Sequence, residues 1–187
     1  MKVLIIDNQD SFTYNLKHYV QQFCADVDVL SSSDINIEFI SEYDKIIISP
    51  GPGLPEEHPI LNQVLVQYYK NKSILGICLG QQSIAEFFGA SLYNLSEVKH
   101  GVSSEIIHYN NSRVFNDLPS KFKVGHYHSW AVSKENFPNE LTITSENLEG
   151  KIMSIKHKEF DIIGLQFHPE SILTENGLEM IENWLTN

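Results

Sequence analysis

The first half of the chain alternates two hydrophobic periods, and this alternation constrains the fold more than any other feature. Residues 3–6 form a continuous apolar run, typical of a strand buried on both faces, and further strands are predicted at residues 27–30, 45–49 and 73–77. Apolar residues recur at helical spacing within residues 12–23, 61–69 and 84–88. Repeats of this kind predict a parallel sheet with helices on both faces, whose ligands bind at the carboxyl ends of the strands. Ser11 is expected to cap the first helix.

The second half contains short strand candidates separated by turns. They occupy residues 91–95, 105–109, 122–127, 141–144, 151–157 and 162–167. The gaps between them are too short for helical crossovers, so antiparallel pairing is expected. A last helix is predicted over residues 176–186. We therefore predict one domain over residues 1–187, a three-layer α/β fold with a mostly parallel central sheet and an antiparallel annex.

Charge and cysteine content exclude several classes of protein. The formal net charge is −11, which leaves no basic surface for binding nucleic acid. Two cysteines, Cys24 and Cys78, form neither a C-x-x-C pair nor a zinc spacing. The first apolar run is too short for a signal peptide or a membrane span. We expect a cytoplasmic protein with both thiols reduced.

Cys78 stands where a predicted strand meets a predicted helix. The segment Gly76-Ile77-Cys78-Leu79-Gly80 is the cysteine form of the nucleophile elbow, in which small neighbours permit a sharp turn that exposes the thiol. The start of the helix favours a thiolate, and the Leu79 N–H is free to face an oxyanion. The alternative, a buried structural cysteine, is our interpretation of Cys24.

A thiol nucleophile needs a base, and His168 is the best candidate among eight histidines. It opens the segment His168-Pro169-Glu170 after a predicted strand. Residues two apart in an extended segment point to the same side, so Glu170 can orient the ring. His126 and His128 have a spacing that suits a metal, but no third ligand is apparent. The remaining histidines are expected to be structural or exposed.

The loop after the third strand, residues 49–55, contains three prolines and two glycines. A stiff loop with accessible N–H groups can stabilise the oxyanion of a tetrahedral intermediate, a contribution of about 3 kcal/mol to the barrier. An ordinary stiff loop is the alternative, and composition alone does not separate the two. A phosphate-binding loop is excluded because the G-x-x-x-x-G-K spacing is absent.

Together these three segments resemble the class I glutamine amidotransferases, along almost the whole chain. The resemblance implies a catalytic triad of Cys78, His168 and Glu170, with an oxyanion hole at Gly51 and Leu79. It also implies a set of glutamine-binding residues: Gly51, Pro52, Gly53, Gln82, Ser129 and Trp130. No cofactor or metal is expected on this chain.

The segment Asp7-Asn8-Gln9-Asp10-Ser11-Phe12-Thr13-Tyr14-Asn15 resembles the opening of the chorismate-linked branch of that family. This resemblance implies a partner subunit that binds chorismate and magnesium, either an anthranilate synthase or an aminodeoxychorismate synthase. Residues 164–167 and Gly53 look slightly more like the anthranilate subunit, and service to both pathways is an alternative. The chain ends right after the domain, so the acceptor chemistry is expected on another polypeptide.

Four positions depart from the family's commonest pattern: Gln81, Val102, His126 and Trp130. None of them belongs to the triad. Two further hypotheses fall in other classes, a stand-alone cysteine hydrolase and a non-catalytic regulatory protein. Turnover of peptides or esters without a partner would favour the first, and failure of a glutamine-analogue electrophile to label Cys78 would favour the second.

Overall fold

The computed structural model of the protein describes residues 1–186 as nine strands and four α-helices. The strands are β1 (Val3–Asp7), β2 (Val27–Ser31), β3 (Lys45–Ile48), β4 (Ser73–Ile77), β5 (Leu92–His108), β6 (Lys121–Val132), β7 (Leu141–Asn147), β8 (Ile152–His157) and β9 (Ile162–Leu165). The helices are α1 (Thr13–Gln21), α2 (Pro59–Tyr68), α3 (Leu79–Phe87) and α4 (Gly177–Thr186). All nine strands form one sheet, in the order β2-β1-β3-β4-β9-β8-β7-β5-β6.

Helices cover both faces of the parallel part of the sheet, and successive residues of β1 point alternately into the two cores. Val3 and Ile5 face one core, which also contains Leu16 of α1 and Met180 of α4. Residues Leu4 and Ile6 face the opposite core, which α2 and α3 cover. Because both faces of these strands are buried, their sequences are continuous apolar runs. The predicted three-layer α/β fold is confirmed.

The antiparallel annex contains one strand fewer than its sequence predicts. Residues 92–95 and 105–108 of the two segments that we predicted as separate strands, 91–95 and 105–109, belong to the single strand β5. Its register against β6 shifts between Asn94 and Lys99 and again between His100 and Val102. These irregularities interrupt the alternation of buried and exposed residues, so the hydrophobic pattern alone could not reveal a continuous strand.

The prediction that all strands of the second half pair antiparallel is wrong for β9. This strand lies parallel to β4, with Leu165 opposite Ile77, and antiparallel to β8. It therefore belongs to both parts of the sheet. The segment after Leu165 consequently leaves the sheet beside the segment after Ile77, which is where Cys78 lies.

The predicted cap of the first helix is also wrong. Phe12, not Ser11, occupies the N-cap position of α1, and its side chain makes no capping hydrogen bond. Aspartates stabilise this end instead: Asp10 Oδ1 accepts the Phe12 N–H at 2.8 Å, and Asp7 Oδ1 accepts the Thr13 hydroxyl at 2.8 Å. The short turn before the helix thereby becomes rigid at the edge of the sheet that carries the candidate site.

Within the described range, 1–186, every helix is too short or too polar to span a lipid bilayer.

Candidate active site

Cys78 lies between β4 and α3 with a backbone conformation that side chains rarely adopt, φ 52° and ψ −101°. The two flanking glycines make this turn possible. A Cβ on Gly76 would lie 2.4 Å from the Gly80 carbonyl oxygen, and one on Gly80 would lie 2.4 Å from the Ile48 oxygen. The strand, the helix and the neighbouring strand approach too closely there for any side chain. This geometry is that of a nucleophile elbow.

The sequence predicted an exposed Cys78 thiol, and this is wrong. The residue is only 5% accessible and lies at the wall of a cavity. The cavity has a volume of about 140 Å³. Its lining includes every residue predicted to bind glutamine, together with Cys78, Tyr127 and His128. The full set is Gly51, Pro52, Gly53, Cys78, Gln82, Tyr127, His128, Ser129 and Trp130. A molecule that reacts with the sulfur must therefore enter this cavity.

The loop after β3 is held against the end of β1. Asn8 donates its backbone N–H to Ser49 Oγ at 2.9 Å and its side-chain amide to the Ser49 carbonyl at 3.0 Å. A Cβ on Gly51 would lie 2.6 Å from Asn8 Cβ and 2.8 Å from Leu79 Cδ2. Gly51 therefore packs directly against the first residue of α3, whose N–H has no partner within the helix.

His168 and Glu170 form a buried pair, with His168 Nδ1 donating to Glu170 Oε1 at 2.8 Å. The two residues are 1% and 3% exposed. They meet within a turn closed by the Ser171 N–H and the His168 carbonyl, not within an extended segment as we had expected. The predicted contact is therefore present, but a turn produces it.

The environment of His168 favours its charged form. Burial alone would lower the pKa of the imidazole, but the neighbouring Cys78 and Glu170 outweigh burial and raise that pKa well above its usual range. His168 Nε2 makes no hydrogen bond of ordinary geometry with residues 1–186, although it lies near the sulfur. A charged imidazole beside a thiol is the arrangement that activates cysteine nucleophiles.

Two aromatic rings that the sequence did not single out pack against His168. The centroid of the Tyr127 ring lies 4.9 Å from that of the imidazole, and the centroid of the Phe12 ring lies 5.8 Å from it. Tyr127 follows His126 on β6, and Phe12 precedes α1. These rings shield the histidine from water and fix its plane. The alternation along β6 could have suggested Tyr127, whereas no local signal pointed to Phe12.

Gln166 is a further residue at the site to which the sequence gave no role. Its side-chain nitrogen lies 3.7 Å from Cys78 Sγ, and its oxygen accepts from Gln82 Nε2 at 3.2 Å. The same Gln82 nitrogen donates to the Trp130 carbonyl at 3.0 Å. Gln82 is thus held from two sides. The spacing of Gln166, two residues before His168, was the signal that could have identified it.

His126 and His128, whose spacing suits a metal, are instead hydrogen-bonded to each other at 3.3 Å. A group that could hold a metal lies elsewhere. Ligating atoms of Asp10, His168 and Glu170 all lie within 4.8 Å of one another. The bond between His168 and Glu170 already occupies two of these ligands.

Comparison with known proteins identifies the family of this chain. The family model of the class-I glutamine amidotransferases matches residues 4–187. The chain belongs to this family. A solved structure from Thermoplasma acidophilum, ascribed to a GMP synthase, has the same fold. It superposes with a TM-score of 0.89 at 24% identity and covers 99% of this chain and 92% of that one.

Two relatives within the family are similar over nearly their whole length. A Haemophilus influenzae protein, ascribed to anthranilate synthase component II, is 45% identical over 185 residues, covering 99% of this chain and 96% of its own. A Bacillus subtilis protein named aminodeoxychorismate/anthranilate synthase component 2 is 39% identical over 185 residues, covering 98% and 95%. This amidotransferase therefore resembles proteins named as components of anthranilate synthase, one of which is also named for aminodeoxychorismate synthase.

Proposed function

We propose that this chain is the glutaminase subunit of anthranilate synthase, which hydrolyses L-glutamine and delivers ammonia to a chorismate-binding partner. One observation carries the proposal: the buried His168–Glu170 pair lies beside Cys78 at a nucleophile elbow. Class-I amidotransferases remove the amide nitrogen of glutamine, and the names of the relatives supply the acceptor pathway. The roles of the individual residues in the reaction are part of this proposal.

The first half of the reaction forms a thioester. The Cys78 thiolate attacks the carboxamide carbon of glutamine, and the N–H groups of Gly51 and Leu79 stabilise the oxyanion. The C–N bond then breaks, and the protonated His168 gives its proton to the leaving nitrogen, which departs as ammonia. Glu170 holds the ring in the tautomer that directs Nε2 toward the sulfur.

The second half regenerates the thiolate. His168, now neutral, takes a proton from a water molecule, and the resulting hydroxide attacks the thioester carbon. The C–S bond breaks and glutamate leaves. The sum is glutamine plus water giving glutamate plus ammonia. Gln82, Ser129 and Trp130, with Pro52 and Gly53, line the cavity that would hold the substrate.

The partner, in this proposal, is an anthranilate synthase component I that binds chorismate and carries magnesium. Ammonia must reach it without entering bulk water, where protonation would destroy its nucleophilicity. A specific observation supports a second candidate pathway, since the Bacillus subtilis relative is named for both aminodeoxychorismate and anthranilate synthesis. Service to an aminodeoxychorismate synthase is therefore the alternative.

Replacement of the nucleophile tests the donor role. In complex with the partner synthase, Cys78→Ala should reduce glutamine-dependent product formation by at least about 1,000-fold. Synthesis from ammonium salts should survive, because the acceptor site is on the other polypeptide. Loss of both activities in a correctly folded complex contradicts the donor role. Robust hydrolysis of peptides or esters by the chain alone indicates a stand-alone hydrolase instead.

The pathway is tested by supplying each synthase separately. The wild-type chain is mixed with component I of anthranilate synthase or of aminodeoxychorismate synthase from the same organism, and glutamine-dependent product is measured for both. Activity with the first alone supports the proposal. Activity with the second alone supports the alternative, and activity with both indicates that one glutaminase serves two synthases.

A further inference from the structure

A chain of three hydrogen-bonding side chains, two buried histidines and a half-buried serine, lies behind the candidate glutamine pocket. We call Ser104, His126 and His128 the imidazole relay. Ser104 lies on β5, and the two histidines lie on β6 with 3% and 7% of their surface accessible. Ser104 Oγ is 2.7 Å from His126 Nε2, and His126 Nδ1 is 3.3 Å from His128 Nε2.

The direction of every bond in the imidazole relay is fixed by its last acceptor. His128 Nδ1 lies 2.8 Å from the Trp130 carbonyl oxygen, which can only accept, so this nitrogen must carry the proton. In a neutral ring His128 Nε2 then accepts, so His126 Nδ1 donates to it. His126 Nε2 in turn accepts from the Ser104 hydroxyl. Only one pair of neutral tautomers satisfies all three bonds.

The relay ends at a backbone group that belongs to the substrate cavity. The Trp130 carbonyl accepts from His128 Nδ1 and also from Gln82 Nε2 at 3.0 Å. Gln82 and Trp130 both line the cavity beside Cys78, as His128 itself does. The position of this carbonyl therefore governs the orientation of the Gln82 amide, and nearby Ser129 shares the same strand.

Burial, aided by neighbouring positive charges, keeps both rings of the relay neutral. Burial, the neighbouring His128 and His168, and Lys99 lower the pKa of His126 to about 3, against a weaker effect of Glu149. Burial lowers the pKa of His128 to about 4, with contributions from His168, Lys151 and Lys99, although the bond to Trp130 opposes this shift. A second positive charge beside the charged His168 is thereby avoided.

We infer that the imidazole relay positions the Trp130 carbonyl and, through it, the Gln82 amide, so that His128 is a positioning residue for glutamine binding. The inference rests on the proposed function, because it assumes that glutamine occupies the cavity. It assigns a function to His126, one of the four departures from the family pattern, which the proposed chemistry does not use.

Two substitutions of His128 separate this role from simple packing. In His128→Asn the side-chain nitrogen can occupy the place of Nδ1 and retain the donation to Trp130. In His128→Gln the amide lies at the place of Nε2, and that donation is lost. In the complex with the synthase, we expect KM for glutamine to rise about tenfold in His128→Gln and about threefold in His128→Asn. In both variants kcat should fall by less than KM rises.

The exposed His18 of α1 supplies the matched control, since His18→Gln makes the same chemical change away from the cavity. The far end of the relay gives an independent variant. Ser104→Ala should raise KM about twofold in the wild-type background and add nothing in the His128→Gln background, because the relay is already interrupted there.

Thermal unfolding of each variant establishes that it folds. Equal KM values for the two His128 variants overturn the inference, as does a fall in kcat with KM unchanged. Additive effects of Ser104→Ala and His128→Gln overturn it as well. Failure of the proposed function is distinguishable, since the wild-type chain and His18→Gln would then support no glutamine-dependent synthesis.

Discussion

Buried histidines on two neighbouring segments differ in charge, although their degree of burial is similar. His168 is 1% exposed and its pKa is raised, whereas His126 and His128 are 3% and 7% exposed and their pKa values are lowered to about 3 and about 4. The two segments are adjacent, because the His168 N–H donates to the carbonyl of Gly125.

The difference lies in what each ring contacts. Glu170 accepts from His168 at 2.8 Å, whereas the partners of the other two rings are a hydroxyl, a carbonyl and each other. Burial penalises a charge by the same mechanism in both places, and only an opposite charge at hydrogen-bond distance reverses the outcome. Chemistry that needs an imidazolium therefore depends on the Cys78 sulfur and on the Glu170 carboxylate beside the ring.

Replacement of that carboxylate should bring the pKa of His168 closer to the lowered values of the two histidines of the relay. In Glu170→Gln, Cys78 alone still opposes the effect of burial, so the pKa of His168 should fall. We expect glutamine-dependent turnover in the complex to fall about 100-fold. The rate at which a small alkylating agent labels Cys78 should decrease most between about pH 6 and 7, where the raised pKa of wild-type His168 keeps its imidazole charged.

Glu179→Gln is the control for this experiment, since Glu179 is an exposed glutamate of α4 outside the candidate site. An unchanged pH profile of labelling in Glu170→Gln would contradict the view that Glu170 sets the charge of His168.

Acid should destabilise the protein through the histidines of the relay. The folded-state pKa values of His126 and His128 are lower than the ordinary value of 6.5, so the unfolded chain binds more protons below that pH. The free energy of unfolding should therefore fall from about pH 6.5 toward pH 4, by about 1.4 kcal/mol per pH unit for each histidine. Urea unfolding of wild type and His126→Gln across this range measures the effect.

His126→Gln should lack about 1.4 kcal/mol per pH unit of this slope, whereas His18→Gln should retain it. His168 works in the opposite sense. Its raised pKa contributes stability that is complete below the ordinary value of 6.5 and is lost as pH rises through the folded-state pKa. Equal slopes for wild type and His126→Gln would show that the relay is not held neutral by the fold.

Gln81 is a buried polar side chain that makes no hydrogen bond with any group in residues 1–186. Both amide atoms of Gln81 are buried without a hydrogen bond, and the residue is 0% exposed. Gln81→Met keeps the size of the side chain and removes the desolvated amide, so it should stabilise the protein by about 1 kcal/mol. The urea midpoint measures the change, and Gln63→Met on the exposed face of α2 is the control. A loss of stability would indicate that the amide is satisfied.

Local pattern was sufficient to predict the parallel part of the fold and the elbow. Apolar patterning identified the four parallel strands of the first half, of which β1, β3 and β4 are buried and β2 is half-buried. The glycines on either side of Cys78 have the steric role that the motif predicts. The contact between His168 and Glu170 followed from their spacing, although a turn and not a strand produces it.

What the sequence did not predict depends on contacts between distant segments. The parallel pairing of β9 with β4 is decided by the whole sheet, since a four-residue strand has no local mark of its direction. Phe12 and Gln166 reach the site only because of that pairing and the rigid turn before α1. The charge of a histidine is likewise invisible in sequence, because it depends on which atoms lie at hydrogen-bond distance.

The backbone of Cys78 has a consequence for how such a protein can evolve. A non-glycine residue with φ 52° and ψ −101° stores about 1–3 kcal/mol of strain. Glycine at this position would relieve that strain and also abolish the thiol, so selection for abundance and selection for turnover favour different residues there. Once a duplicate copy is no longer needed for ammonia supply, its drift toward greater stability therefore begins at the nucleophile itself.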